Sequence, residues 1–265
     1  MRGILKVRIQ QFGIENKEAI VLIHPSLVMW DYFENIIPLL EKDFHVLIPV
    51  LPGYDPKQKS DFSSVEEIAG LLEDQLMEEG IKEVSCIYGC SMGGSIVLRF
   101  LADGKILVKS AVIDGGITPY QLPWIITRLI AIKDFLMICT GKLGGIRLLE
   151  KAFSTDEYSK EDLEYVTKVL KMISYRTIWN TFDSCNNYDL PDQFETDCEW
   201  IEYWYADKEA KERKQDIAYV KEKIPRTTFR EFKDIGHAGL ALLRPEEMAK
   251  RLKEMMRKEE RDVTF

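Results

Sequence analysis

The chain has 265 residues, with 46% hydrophobic and 30% charged side chains, proportions of a globular protein with a sizeable core. Its formal net charge of −8 at pH 7 argues against a nucleic-acid binder, which needs a basic face. Five cysteines (Cys86, Cys90, Cys139, Cys185, Cys198) are odd in number and lack metal-ligand spacing, so reduced thiols in a cytoplasm are expected, with no metal and no cofactor.

The start, Met1-Arg2-Gly3-Ile4-Leu5-Lys6, carries no signal-peptide pattern. Ile4 to Gln10 alternates apolar and charged residues, which predicts a half-buried edge strand. Ala19 to Ile23 is a continuous apolar run, as in a strand covered on both faces, and ends at His24-Pro25-Ser26. Asp31 to Glu41 reads as a helix with Phe33, Ile36, Ile37 and Leu40 on one face. Phe44 to Val50 is the next strand, closing at Pro52-Gly53. Ser64-Val65-Glu66-Glu67 is a capping box that opens a helix ending at Gly80.

Val84 to Tyr88 is again strand-like, and Ser95 to Ala102 helix-like. Between them stands Gly89-Cys90-Ser91-Met92-Gly93, the spacing G-x-S-x-G. A serine on so sharp a turn is held in strained geometry with its hydroxyl projecting above the sheet edge. The helix start behind it supplies N–H groups and a positive dipole end, which suit a developing oxyanion. Cys90, beside the apex, is expected to point into the flank of the sheet as a buried apolar residue. Gly94 reads as a close-packing glycine: a phosphate loop wants a lysine there, and Ser95 follows instead.

Val108 to Ile113 is the following strand, ending at Asp114. Strand and helix alternate throughout this half with short connections, which predicts an α/β fold with a mostly parallel, doubly wound sheet. Active sites in such sheets sit at the carboxyl ends of the strands, where His24, Gly53, Ser91 and Asp114 fall. From Pro119 to Glu195 the alternation stops and several helices are expected. Trp124 to Ile138 is too apolar for one solvated helix, yet Arg128, Lys133 and Asp134 interrupt it as a membrane span. Glu161 to Ile173 is a second, more amphipathic helix. Strand pattern returns at Trp200 to Tyr205, then a charged helix from Lys208 to Lys223 and a last strand, Thr227 to Phe232. That strand runs into Gly236-His237-Ala238-Gly239, and Pro245 opens a final helix.

The His24-Pro25 turn, the Ser91 elbow, the helical stretch before Glu199 and Gly236-His237 after the last strand together resemble the α/β-hydrolase superfamily. The resemblance covers essentially the whole chain. It implies a core of residues 1–118 and 196–265 and a helical cap or lid of 119–195. Ser91 is then the nucleophile, and a serine hydroxyl needs a base within hydrogen-bond reach. Of three histidines, His237 lies in a small-residue loop from which an imidazole reaches across the strand ends. His45 reads as a solvated residue at a strand entrance, and His24 as a brace of its own loop. The resemblance further implies oxyanion donors at the backbone N–H groups of Met92 and Ser26. Where the family usually has glycine stands Pro25, which has no N–H to give.

Three carboxylates qualify by position as the partner of His237: Asp114, Asp207 and Glu209. The family's Gly-x-x-Asp strand end, laid on Ala206-Asp207-Lys208-Glu209, favours Glu209. Trp124, Ile126 and Leu129 in the cap either line an apolar acyl pocket or pack the cap on the core. The expected activity is a serine hydrolase cleaving a small, rather apolar ester or thioester, with a small-molecule substrate and no nucleic-acid or integral-membrane partner. The alternatives are a non-catalytic ligand-binding protein on the same scaffold and a proline-releasing aminopeptidase, which needs an acidic anchor for a substrate amine.

Overall fold

The computed structural model describes residues 6–119, 122–152 and 159–257. Ile4 and Leu5 of the expected first strand, and short stretches within the expected cap and at the C-terminus, lie outside the described residues. Seven strands form one sheet in the order β1-β3-β2-β4-β5-β6-β7. They are β1 (Arg8–Phe12), β2 (Ala19–Ile23), β3 (His45–Val50), β4 (Glu83–Cys90), β5 (Leu107–Asp114), β6 (Trp200–Ala206) and β7 (Thr228–Phe232). Only β1 is antiparallel, running against β3, while each of the remaining pairings is parallel.

Period-two alternation sends the buried strands' side chains to two separate cores. Val21, Ile23, Leu47 and Ile87 face one side. There they meet α2 (Val65–Glu78) and α3 (Met92–Asp103), through residues such as Leu72 and Val97. Ile20, Leu22, Val46 and Tyr88 face the other side. That side is covered by a 3₁₀ turn at Trp30–Phe33, by α1 (Ile37–Leu40) and by the C-terminal helix, through Phe33, Leu40 and Leu252. The expected helix over 31–41 is thus two short pieces, with Pro38 in the first turn of the second. Of the expected capping box, the N-cap half forms: the Ser64 hydroxyl accepts the Glu67 N–H at 3.2 Å.

Among the described residues, four helices lie between β5 and β6: α4 (Trp124–Gly144), α5 (Ile146–Ala152), α6 (Lys160–Met172) and α7 (Tyr175–Asn187). A 3₁₀ turn at Asp207–Glu209 follows β6 and precedes α8 (Lys214–Lys223), so the charged helix expected from Lys208 begins six residues later. After β7 come α9 (Leu240–Leu243) and α10 (Pro245–Arg257). No helix among the described residues is long and apolar enough to cross a membrane.

Candidate active site

Ser91 stands where β4 turns into α3, at φ 52° and ψ −114°, a backbone conformation rarely adopted by L residues that costs roughly 1–3 kcal/mol. Its neighbours permit the turn by lacking side chains. A Cβ on Gly89 would lie 2.1 Å from the Gly93 carbonyl oxygen, and one on Gly93 would lie 2.3 Å from that of Ile23. The turn is tied to the next strand by the Ser91 N–H, which donates to the Asp114 carbonyl at 2.8 Å. Met92 is the first residue of α3, so its N–H has no intrahelical acceptor.

Glu209 and His237 meet across the ends of β6 and β7. The Glu209 Oε2 atom is 2.5 Å from Nδ1 of His237, and its Oε1 atom accepts the Ala206 N–H at 3.1 Å. Arg213, one turn further on, brings its Nε to 3.6 Å from Oε2 and also donates to the Gly115 carbonyl at 3.3 Å. Burial pushes the Glu209 carboxyl up, but His237, the Ala206 N–H and Arg213 outweigh it, and the group stays below its ordinary value. Because Nδ1 faces a carboxylate, it carries a proton, which leaves Nε2 as the basic atom. Gly115 (φ +55°) passes directly beneath the pair: a Cβ there would lie 3.0 Å from Oε1 of Glu209 and 3.1 Å from Nδ1 of His237.

The loop carrying His237 is held from both ends. The Asp207 carboxylate accepts the N–H groups of Asp234 (3.0 Å) and Ile235 (3.4 Å). The Tyr32 hydroxyl donates to the Ala238 carbonyl at 2.7 Å. Ser91 and His237 share the wall of one cavity of about 210 Å³. Ser26, Leu27, Val28 and Tyr32 supply one side of it, and Leu163, Tyr165 and Val166 of α6 supply another. Asp162 is the acidic residue in this wall.

A model of the alpha/beta hydrolase family matches residues 20–251, a span that contains the Ser91 turn, Glu209 and His237. The chain belongs to the alpha/beta hydrolase family. A stretch of 101 residues is 32% identical to the uncharacterized hydrolase YNR064C of Saccharomyces cerevisiae, covering 36% of this chain and 35% of that protein. The match therefore spans about a third of that relative's length. Among solved structures, one from work on carboxylesterases of the thaumarchaeon Nitrososphaera gargenis superposes with a TM-score of 0.76 at 20% identity, over 97% of this chain and 96% of that one. MenH from S. aureus gives 0.76 at 16% identity, over 97% and 100%. At these identities the structures speak for the fold alone.

Within this alpha/beta hydrolase the other carboxylates are otherwise engaged. Asp114 is buried and accepts the Tyr88 hydroxyl at 2.5 Å. Burial drives its carboxyl up to about 6, against the Tyr88 bond that lowers it, with the Glu209 charge adding to the rise. Asp207 grips backbone, as described, and that hydrogen bonding lowers its pKa. His24 is fully buried; its Nδ1 donates to the Pro25 carbonyl at 2.8 Å, and burial lowers its pKa to about 4, so the ring is neutral. His45 pairs with the Gln11 side chain at the solvent. Cys90 is buried, with its thiol pushed well up by burial. Ser26 lines the cavity beside Ser91, and the backbone turns left-handed immediately after it, at Leu27 (φ +67°).

Trp124, Ile126 and Leu129 do not line this cavity. They lie on the exposed side of α4, whose inner side is made by Thr127, Ala131 and Gly141. The cavity takes its apolar wall from α6 and from residues 25–32. Sequence reasoning also missed Gly115, Tyr32 and Arg213. A glycine following the strand-end Asp114, and an arginine one helical turn past Glu209, were the available signals.

Proposed function

We propose that this protein is a serine hydrolase that cleaves small, rather apolar carboxylic esters or thioesters through an acyl-enzyme intermediate. The observation that carries the reading is the 2.5 Å contact between Glu209 and Nδ1 of His237, at the wall of a cavity that Ser91 also lines. With the Nδ1 proton held by Glu209, Nε2 takes the Ser91 proton as Oγ attacks the carbonyl carbon. The charge developing on the carbonyl oxygen is met by the N–H groups of Met92 and Ser26 and by the positive end of α3. His237 then returns its proton to the leaving alkoxide or thiolate. A water, deprotonated by the same Nε2, releases the acid.

The cavity supports a short acyl group. At about 210 Å³ it is smaller than the roughly 300–1,000 Å³ of drug-sized ligand pockets, and its wall is mostly apolar. The test is covalent labelling with a fluorophosphonate, followed by peptide mapping. One adduct, on Ser91, is expected, and Ser91→Ala removes both the adduct and the hydrolysis of p-nitrophenyl acetate. Folded protein that takes no label would point instead to a ligand-binding scaffold.

One observation favours a second reading. Asp162 stands in the cavity wall, where a carboxylate would hold a substrate ammonium, as a proline-releasing aminopeptidase requires. Its Oδ2 already accepts the Ser159 N–H at 2.8 Å, which leaves the carboxylate lone pairs to spare. Cleavage of proline p-nitroanilide faster than of any short ester, lost in Asp162→Asn, would replace the ester reading.

A further inference from the structure

The longest helix among the described residues, α4, turns a continuous apolar seam away from the protein. Thr127, Ala131 and Gly141 are buried against the body of the molecule. On the other side, Ile125, Leu129, Ile132, Leu136 and Leu143 are all exposed, from 41% at Ile132 to 78% at Leu143. With the partly buried Cys139 between Leu136 and Leu143, the steps along this seam are four, three, four, three and four residues. That spacing is the a/d repeat by which one helix packs knobs into the holes of another. Ile126 flanks it and is also exposed, while Trp124 and Met137 are exposed further round the helix.

The amount of surface is too large to be incidental. At roughly 200 Å² for a whole large apolar side chain, the exposed parts of Ile125, Ile126, Leu129, Ile132, Leu136 and Leu143 present on the order of 700 Å². A monomer's largest apolar patch is usually about 300–600 Å², and each partner in a standard interface buries about 800 Å². The charge pattern decides between kinds of partner. A helix that lies on an anionic lipid surface carries a lysine- and arginine-rich flank. Here Arg128 is paired with Asp183 at 2.5 Å, Lys133 with its neighbour Asp134 at 3.3 Å, Lys142 donates to the carbonyls at the end of α6, and the whole chain is anionic at −8. A partner that brings the same seam satisfies the spacing and the area.

We propose that α4 is a self-association surface, and that two copies of this chain pair seam to seam about a two-fold axis through their α4 helices. Such a contact is isologous, so each apolar residue supplied by one copy is met by the same patch of the other. The seam lies apart from Ser91 and His237, so the proposal stands whether or not the ester reading does.

The experiment is sedimentation equilibrium of the full chain from about 1 to 100 μM. Wild type is expected at twice 30.8 kDa. The exposed-site double variant Ile132→Glu/Leu136→Glu is expected at the monomer mass, its dissociation constant raised at least a hundredfold. Far-UV circular dichroism and the Ser91-dependent rate are expected to be unchanged in the variant. Wild type that stays monomeric at 100 μM overturns the proposal. So does a dimer that the double variant leaves intact, which would place the interface elsewhere. A monomer that floats with phosphatidylcholine or phosphatidylserine vesicles through α4 would assign the seam to lipid instead.

Discussion

Replacing Glu209 by glutamine tests the catalytic arrangement at the point where its geometry is most demanding. Both carboxylate oxygens receive a donor: Oε1 the Ala206 N–H at 3.1 Å, and Oε2 the His237 ring at 2.5 Å. A glutamine has one oxygen and one NH₂, so it cannot accept at both places. If its oxygen stays with Ala206, its NH₂ faces Nδ1 and forces the proton onto Nε2, where the ring can no longer act as a base. If it flips, the Ala206 N–H is left against an NH₂ in a buried position, at a cost of about 1–3 kcal/mol. The lost charge also leaves the imidazolium of the transition state without its counter-ion. The wrong tautomer alone is worth on the order of 10³–10⁴ in kcat for such an arrangement. KM should move little, because Glu209 is not in the cavity wall. The assay is steady-state hydrolysis of p-nitrophenyl acetate by Glu209→Gln, with Asp207→Asn and Asp114→Asn alongside and folding checked by circular dichroism. A Glu209→Gln enzyme within threefold of wild-type kcat, with either asparagine variant falling a thousandfold, would refute the reasoning.

Gly115→Ala puts a Cβ 3.0–3.1 Å from both Glu209 and His237 on a residue at φ +55°. Thermal unfolding should show a loss of about 1–2 kcal/mol from the backbone alone, and kcat should fall ten- to a hundredfold as the pair is displaced. Asp114 has its carboxyl raised from 3.8 to about 6 in the folded chain, so folding favours its protonated form. The stability this gives is full below pH 3.8 and is lost as pH rises through about 6. Urea titrations should therefore find Asp114→Asn more stable relative to wild type at pH 7.5 than at pH 4, by up to about 3 kcal/mol; a pH-independent difference would contradict this. Val166→Phe narrows the cavity from its α6 side, and should raise KM for p-nitrophenyl butyrate several-fold more than for the acetate.

Much of the fold was legible because its signals are local. Runs such as Ala19–Ile23, buried throughout, could belong only to strands covered on both faces. The glycines around Ser91 announced a turn that tolerates no Cβ. The approach of Glu209 to His237 was readable only through the family's strand-end pattern, since nothing in the local sequence distinguishes Glu209 from Asp207. What the residues did not reveal was the facing of α4. A helix apolar nearly all round has no polar side to declare where solvent lies, and the seam Ile125–Leu143 looks the same whether it meets a substrate, the core or nothing. Arg213 and Tyr32 escaped notice for another reason: their roles depend on contacts with Gly115 and Ala238, 98 and 206 residues away in the chain.

The three side chains proposed to carry the chemistry hang from different strands of one sheet. Ser91 follows β4, Glu209 follows β6 and His237 follows β7. The sheet order places β4 and β7 three strands apart, or roughly 14 Å of backbone. His237 reaches back toward Ser91 only when β5 and β6 have been laid between them in register. The two residues are separated by 146 positions in the chain, since 237 − 91 = 146. Contacts of such long range are the slowest to form and cannot persist in a partly open sheet. Hydrolytic rate therefore works as a folding probe: in denaturant it should disappear together with the tryptophan signal of Trp204, buried between Tyr88 and Phe232, and on refolding it should return last.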